Sequence, residues 1–326
     1  MFKHIIRIKF ALLITATLLA LSFVNLSIVY LFISGPLDKV TTLIITPYSS
    51  VREISIKLRQ GNVVAYEELF FAVAKLYSLK HPLKSGEYMF TKSISPLQVL
   101  NILSTGKSII HKLVIPEGLM VSEIIEKINS ESRLFGEIKN NIPEGFLMPS
   151  TYMFSYGDTK EQIIDQMRKT MTLALDEAMI KLSPNSPLKT RLEVLTLASI
   201  IEKEAILDKE RAIIAAVFLN RLRKGMKLQA DPTSIYAVTE GKFKLTRALT
   251  KKDLSIVSPY NTYHIFSLPP GPISCPGVKS LMAVVSPAST QAIYFVVDGT
   301  GGHNFSDNID QHNKYVEQYR RSKACH

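Results

Sequence analysis

The amino-acid sequence predicts an α+β protein whose N-terminus is a transmembrane helix. The first observation is an uncharged, apolar stretch of 24 residues between Phe10 and Ile33. The second is a pair of short strands, each followed by a turn and an amphipathic helix, at residues 43–58 and 113–128. The third is a set of longer helical patterns at residues 160–181, 188–206 and 208–224. Loops rich in Pro, Gly, Tyr and Asn follow them, and together these patterns predict a mixed α+β domain.

The apolar stretch is long enough to cross a bilayer, because a transmembrane helix needs about 20 residues. Lys3, Arg7 and Lys9 precede it, and the first acidic residue is Asp38. Because positively charged flanks stay in the cytoplasm, we expect a single-pass membrane protein with a cytoplasmic N-terminus. The expected division places residues 1–9 in the cytoplasm, 10–33 in the membrane and all later residues outside the cytoplasm.

A cleaved signal peptide is the alternative interpretation of the same stretch. Its apolar region would be shorter, about 7–15 residues, and would end at a small-x-small cleavage site. The stretch here runs into Ser34-Gly35-Pro36 without such a site. A buried core helix would leave the basic flank without a role. We therefore favour an uncleaved anchor.

Charge and cysteine usage narrow the class of function. The formal net charge is +11, spread along the chain without a zinc-finger or RNA-binding signature. An exported basic surface suits anionic lipid or an anionic wall polymer better than nucleic acid. Cys275 and Cys325 give no metal-binding spacing, and the seven histidines show no HExxH pattern. We expect no metal, no cofactor and no nucleic-acid partner.

Residues 43–58 and 113–128 resemble each other along their whole length. They share Leu, Ile, Val, Glu, Ile and Lys at equivalent positions, which indicates either an internal repeat or a recurrent β-turn-α packing unit. Ser49 or Ser50 is expected to cap the first helix, and Ser122 the second. The other expected elements are helices at 65–77, 95–103 and 309–321 and a strand at 86–90.

The run LEVLTLASIIEKEA, residues 192–205, ends in two carboxylates around a lysine. On a helix with about 100° between residues, Glu204 lies nearer the apolar stripe than Glu202, and Lys203 points to solvent. Burial beside apolar groups raises the pKa of a carboxyl group, which an acid catalyst needs near neutral pH. The alternative is that both glutamates are solvated or paired with basic side chains, and Glu202, near Arg211, fits that description.

Several motifs in order resemble the endolytic murein transglycosylase family, also called YceG-like. They are LASIIEKEA, VFLNRLRKGMKLQADPTSIYAV, SPYNTYHIFSLPPGPISCPG and FVVDGTGGHNFSDNIDQHNKYV. The resemblance implies an anchored plasma-membrane (inner-membrane) enzyme with a LysM-like module at residues 40–110 and a catalytic domain at 111–326. It would cleave the β-1,4 bond between N-acetylmuramic acid and N-acetylglucosamine in peptidoglycan, leave 1,6-anhydromuramoyl ends, and terminate or trim nascent strands. Glycan strands, membrane lipid and cell-wall synthases are the implied partners.

The resemblance also assigns roles to residues. The second glutamate of the family's EKE motif is catalytic and corresponds to Glu204. Asn220, Gln229 and Asp231 suit hydrogen bonds to sugar hydroxyl and acetamido groups, although Asp231-Pro232-Thr233 is also a turn signal. Tyr260, Asn261 and Tyr263 offer aromatic faces and an amide, although loop aromatics often only pack.

Two other functions stay open at this point. One is a wall-binding scaffold that has lost catalysis. The other is a muramidase that uses water and needs a second carboxylate, with Asp231 or Glu202 as candidates.

Overall fold

Residues 2–139 and 141–324 are described in a computed structural model, which divides into two compact units. The first unit runs to His111 and adds Met153–Asp158, and the second holds Lys112–Tyr152 and the chain from Thr159 onward. The expected boundary between residues 110 and 111 lies beside this division. A division at a single point in the sequence cannot assign Met153–Asp158 to the first unit, where the structure places them.

The first unit combines a long apolar helix with a β-α-α-β arrangement. Its elements are α1 (Phe2–Phe32), β1 (Thr41–Ile45), α2 (Val51–Gln60), α3 (Glu67–Tyr77), β2 (Gly86–Phe90) and α4 (Pro96–Thr105). The two strands pair antiparallel, with Thr41 opposite Phe90 and Ile45 opposite Gly86. Alternate strand residues such as Tyr88 and Phe90 are buried with α2, α3 and α4 in one core. Within α1, Leu12–Phe32 is apolar and long enough to cross a membrane.

The second unit is mainly helical. Strands β3 (Ile110–Val114) and β4 (Thr151–Ser155) each contain residues of both units. The other elements of the second unit are α5 (Val121–Asn129), α6 (Lys160–Lys181), α7 (Arg191–Glu204), α8 (Arg211–Arg223), α9 (Asp231–Thr239), α10 (Lys251–Leu254), α11 (Val278–Val285), β5 (Tyr294–Val297), β6 (His303–Ser306) and α12 (Ile309–Ala324). Strand β3 pairs with β4, and β5 pairs with β6. Helix α7 contacts α6, α8, α9 and α11, so it forms the centre of this core.

The mixed α+β class is confirmed, and several predicted elements match closely. The strand at Gly86–Phe90 and the helix at Lys160–Lys181 have the predicted bounds. Ser50 caps α2 in a capping box with Glu53. The prediction that Ser122 caps α5 was wrong. That helix begins at Val121, so Ser122 is its second residue, and the Ser122 hydroxyl donates to the Gly241 carbonyl at 2.6 Å.

Candidate active site

Helix α7 carries the candidate catalytic residue at its C-terminal end. The helix begins after Thr190, whose hydroxyl accepts from the Glu193 N–H in a capping box. Every residue from Val194 to Ile201 is buried, because neighbouring helices cover all sides of α7. The helix ends at Glu204, since the next residue has an extended backbone. The covered helix therefore fixes the position of the Glu204 backbone.

The Glu204 side chain lines a groove of about 390 Å³ in the second unit. Its lining residues are Glu204, Arg221, Leu228, Gln229, Asp231, Tyr263, Phe295, Val296 and His312. Four of the seven site residues predicted from the sequence therefore meet here. The groove joins the end of α7, the start of α9, the segment before it and strand β5.

The electrostatic setting of Glu204 favours a protonated carboxyl group. Burial raises the pKa of Glu204 to about 8, the negative charge of Asp231 adds to the increase, and the positive charge of Arg221 opposes it. Glu204 is also the last residue of α7, where backbone carbonyls disfavour a negative charge. Within residues 2–139 and 141–324, no group hydrogen-bonds to this carboxyl. An unpaired, mostly protonated carboxyl group in an open groove can donate a proton to a bound molecule.

Asp231 and Tyr263 form a hydrogen-bonded pair beside Glu204. The Tyr263 hydroxyl donates to Asp231 Oδ1 at 2.6 Å. Burial raises the pKa of Tyr263, and its bond to Asp231 acts in the same direction. Asp231 is exposed at the first turn of α9, so its second carboxylate oxygen faces a position where a ligand hydroxyl can donate.

Gln229 adopts a left-handed backbone conformation next to this pair. Its φ is +49°, which an L side chain adopts at a cost of about 1–2 kcal/mol. Its N–H donates to the Thr262 carbonyl at 3.2 Å, and its side chain is exposed. The strained conformation directs the chain into α9 and leaves the Gln229 amide at the groove.

Sequence reasoning missed Arg221 as a member of the groove. Its buried guanidinium donates from Nε to the Ile293 carbonyl at 2.6 Å and from Nη1 to the Leu228 carbonyl at 2.7 Å. Because Leu228 precedes Gln229, these bonds fix the segment that presents the Gln229 amide. The basic run around residue 221 gave no hint of burial, since arginines near a helix end are usually solvated.

His312 was also missed, although it belongs to a motif that supported the family resemblance. It projects from α12 and stacks on Tyr294, with ring centroids 5.1 Å apart. Burial lowers the pKa of His312, and the charge of Arg221 lowers it further, so the ring is neutral at neutral pH. Its Nδ1 is buried, and no described residue hydrogen-bonds to it.

Three predicted residues lie outside the groove. The Asn261 side chain is fully buried; its amide donates to the carbonyls of Leu254 and Ile256. Asn220 likewise donates to two backbone carbonyls in the segment before β5. Tyr260 packs beside Tyr236, with ring centroids 4.7 Å apart. These placements give the three side chains structural contacts within the second unit.

Glu202, two residues before Glu204, lies in a buried ionic network. Its carboxylate accepts from Arg211 Nη1 at 2.9 Å, from the Gly277 N–H at 2.9 Å and from the Ser280 hydroxyl at 2.8 Å. Only 4% of the Glu202 side chain is exposed. The sequence correctly indicated an ion pair with Arg211, but it did not indicate the hydrogen bonds from Gly277 and Ser280.

A second unusual carboxyl group, Glu144, lies apart from the groove. It accepts from the N–H groups of Val121 and Gly145 at 3.0 and 3.2 Å. Burial raises the pKa of Glu144 to about 7, against the effect of these hydrogen bonds. The buried Cys275 thiol approaches it at 3.9 Å. Since Glu144 ties the start of α5 to a neighbouring turn, its contacts are those of a structural residue.

Comparison with known proteins gives a consistent assignment. The sequence matches the YceG-like family over residues 43–318. An endolytic murein transglycosylase of Bacillus subtilis (strain 168) is 32% identical over 307 residues, 84% of this chain and 83% of that protein. One from Streptococcus pneumoniae (strain ATCC BAA-255 / R6) is 29% identical over 87% of this chain, which spans 59% of that longer relative.

The crystal structure of a yceG-like protein from Listeria monocytogenes shares 31% identity with this chain. The alignment covers 85% of this chain and 98% of that one, with a TM-score of 0.54. Because the family match extends over most of the sequence, the chain belongs to the YceG-like family.

Proposed function

We propose that the chain is a lytic transglycosylase that cleaves peptidoglycan strands between N-acetylmuramic acid and N-acetylglucosamine. The observation that carries this proposal is Glu204, an unpaired carboxyl group in an open groove whose pKa is raised to about 8 by burial. Such a group is protonated at neutral pH and can act as a general acid. The relatives named as endolytic murein transglycosylases support the choice of substrate.

The proposed reaction needs only one carboxyl group. Glu204 donates its proton to the glycosidic oxygen as the bond from that oxygen to the anomeric carbon of the muramic acid breaks. The 6-hydroxyl of the same sugar then attacks that carbon, and its proton passes to Glu204. The products are a free 4-hydroxyl on N-acetylglucosamine and a 1,6-anhydro ring. No water is consumed, and holding the sugar in position replaces a second carboxylate.

The groove supplies groups that suit this positioning. Asp231 can accept from a sugar hydroxyl, and the Gln229 amide can both donate and accept. Tyr263 holds Asp231 through the 2.6 Å hydrogen bond. We assign substrate contact to Gln229, Asp231 and Tyr263, and structural roles to the remaining three predicted side chains.

The location of the enzyme follows from its first helix. We propose that Leu12–Phe32 anchors the protein in the plasma membrane with the second unit outside the cytoplasm, where peptidoglycan lies. The basic N-terminal flank supports this orientation. The β-α-α-β part of the first unit is proposed as the LysM-like module, and association with wall synthases remains part of the same proposal.

A muramidase is the second candidate, because a second carboxylate does reach the groove. Asp231 is exposed beside Glu204 and could activate a water. Glu202 does not suit this role, since its side chain is buried against Arg211. The two reactions differ in product, because a muramidase leaves a reducing end that carries one more water than an anhydro end.

The test uses the full chain in proteoliposomes, purified glycan strands and mass spectrometry of the released fragments. We expect anhydro ends from the wild type and a rate about 10³-fold lower for Glu204→Gln, because general acid catalysis contributes 10²–10⁴-fold. Glu177→Gln, on the exposed surface of α6, is the matched control and should retain full activity. Near-normal activity of Glu204→Gln would contradict the proposal, and reducing ends would identify a muramidase.

A further inference from the structure

Within the first unit, the C-terminal end of the apolar helix α1 packs against the folded β-α-α-β part. Tyr30 of α1 is only 6% exposed and belongs to the core of this unit. Its ring lies 6.2 Å from that of Tyr66, just before α3, and its hydroxyl contacts the Tyr66 carbonyl at 3.4 Å. The C-terminal end of α1 therefore packs directly into the core of the folded unit.

Helix α3 lies opposite a more N-terminal part of α1. A crevice of about 190 Å³ lies between the two helices, lined on one side by Phe23, Val24 and Ile28 and on the other by Val73 and Leu76. Ser27 also lines the crevice, and the other lining side chains are apolar. A mostly apolar crevice of this kind suits an environment of lipid.

The depth of this crevice follows from helix geometry. The hydrocarbon core of a bilayer is about 30 Å thick, which equals about 20 helical residues at 1.5 Å each. Counted from Phe10, directly after the last basic residue, the core would end near Val29. Phe23 lies six positions earlier, which is about 9 Å inside that boundary. The α3 side chains that line the crevice together with Phe23 then lie at the depth of the outer leaflet.

The exposed side chains at the end of α3 fit such a location. Leu76 is 71% exposed although it lines the crevice, and Leu79 in the following turn is 79% exposed. Lys75, Lys80 and His81 are exposed close by. Exposed leucines suit the acyl-chain region inside the headgroups, and the long side chains of Lys75 and Lys80 can extend from there to the phosphates.

We propose that the C-terminal end of α3 and its following turn, Lys75–His81, insert into the outer leaflet of the membrane that α1 crosses. The β-α-α-β part would then be held on the membrane surface by two contacts, α1 and this segment. The proposal rests on the membrane anchor described under the proposed function, and it adds a surface and a partner to it.

The absence of tryptophan from the sequence makes a direct test available. Single tryptophans replace Leu79, Leu26 in α1, or Met89 in the full chain, reconstituted in vesicles with brominated acyl chains. Met89 is 54% exposed on β2 and points to the face of the sheet opposite the buried Tyr88 and Phe90. It is therefore the matched control for an exposed apolar position away from the helices.

We expect roughly twofold quenching for Leu79→Trp and Leu26→Trp, as for side chains about 5–10 Å inside the interface, and none for Met89→Trp. Quenching of Leu26→Trp with none of Leu79→Trp would overturn the inference and leave the anchor intact. Absence of quenching at Leu26→Trp would contradict the anchor itself, and the inference with it. Loss of the Leu79→Trp signal on dilution of protein in lipid would assign the surface to a second copy of the chain.

Discussion

Glu202 and Glu204 leave the same end of α7 two residues apart, and the structure gives them opposite surroundings. Glu202 accepts three hydrogen bonds and pairs with Arg211. Glu204 points into a groove, where no described residue hydrogen-bonds to its carboxyl and burial raises its pKa to about 8. Two chemically identical side chains therefore serve different purposes, because one has its charge compensated and the other does not.

This contrast separates a stabilising carboxylate from a reactive one. A compensated carboxylate stays ionised and cannot supply a proton near neutral pH. An uncompensated one in a poorly hydrated position keeps its proton and can release it to a substrate. The ionic network of Glu202 also fixes the backbone from which Glu204 projects, so it holds the proposed general acid in place.

The largest expected difference concerns stability. Glu202→Gln removes the buried carboxylate partner of Arg211 and leaves it with the more exposed Asp208 at 3.1 Å. Loss of one member of a buried ion pair typically reduces the free energy of unfolding by about 3 kcal/mol. Glu204→Gln breaks no hydrogen bond and should leave the stability unchanged or higher at pH 7. Urea unfolding of both variants measures this difference. Equal losses for the two variants would show that the carboxyl environments are not distinct.

The pH dependence of stability should distinguish Glu204 in a second way. Its pKa is about 8 in the folded protein and near 4.5 when unfolded, so the folded state binds more protons between these values. The stability of the wild type should therefore fall as the pH rises from 4.5 to 8, and then level off. Glu204→Gln lacks this loss. At pH 9 its free energy of unfolding should exceed that of the wild type by on the order of 2 kcal/mol, from about 1.4 kcal/mol per pKa unit reduced because the groove is open to solvent.

Calorimetry at pH 4.5, 7 and 9 provides the measurement. At pH 4.5 the two proteins should have nearly equal stability, because Glu204 is protonated in the folded wild type. A constant difference across the three pH values would mean that the Glu204 carboxyl is well hydrated in the folded state, and the groove would then not raise its pKa.

The sequence predicted Glu204 for a reason that the structure only partly supports. A helical wheel assumes one buried stripe, whereas Val194–Ile201 are buried on every side of α7. The wheel therefore left Glu202 either solvated or paired with a basic side chain, and only the tertiary structure shows its hydrogen bonds from Gly277 and Ser280. Local periodicity cannot report a partner that lies 75 residues away in the sequence.

The residues of the groove also differ in whether sequence motifs or only tertiary contacts indicate them. Gln229, Asp231 and Tyr263 belong to motifs that the family resemblance indicated, and they do meet Glu204. Arg221 and His312 also belong to such motifs, but the contacts around β5 that bring them to the groove come from the tertiary structure. Asn261 has a polar side chain that suits sugar binding, but its loop folds around it and uses its amide to satisfy backbone carbonyls.

A smaller effect is expected at Gln229, where strain and substrate contact can be separated. Glycine accepts a φ of +49° without strain, so Gln229→Gly should keep its stability within about 1 kcal/mol of the wild type. Loss of the amide should slow cleavage of glycan strands about tenfold, as expected for one hydrogen bond. Glu240→Gly is the matched control, because Glu240 also has a left-handed φ, +50°, and does not line the groove. Equal activity of both variants would remove Gln229 from substrate contact.

The smallest expected effect is a shift in the pH dependence of activity. If Glu204 acts as the acid, activity falls as the pH rises through about 8, because the group loses the proton that it must donate. The negative charge of Asp231 contributes to this high pKa after burial, so Asp231→Asn should lower the pKa and move the fall in activity to lower pH. The rate of strand cleavage measured between pH 6 and 10 gives the midpoint separately from the maximum rate. A midpoint that moves upward in Asp231→Asn would contradict the proposed effect of the Asp231 charge on Glu204. Loss of the pH transition altogether would mean that Asp231, and not Glu204, carries the titrating proton.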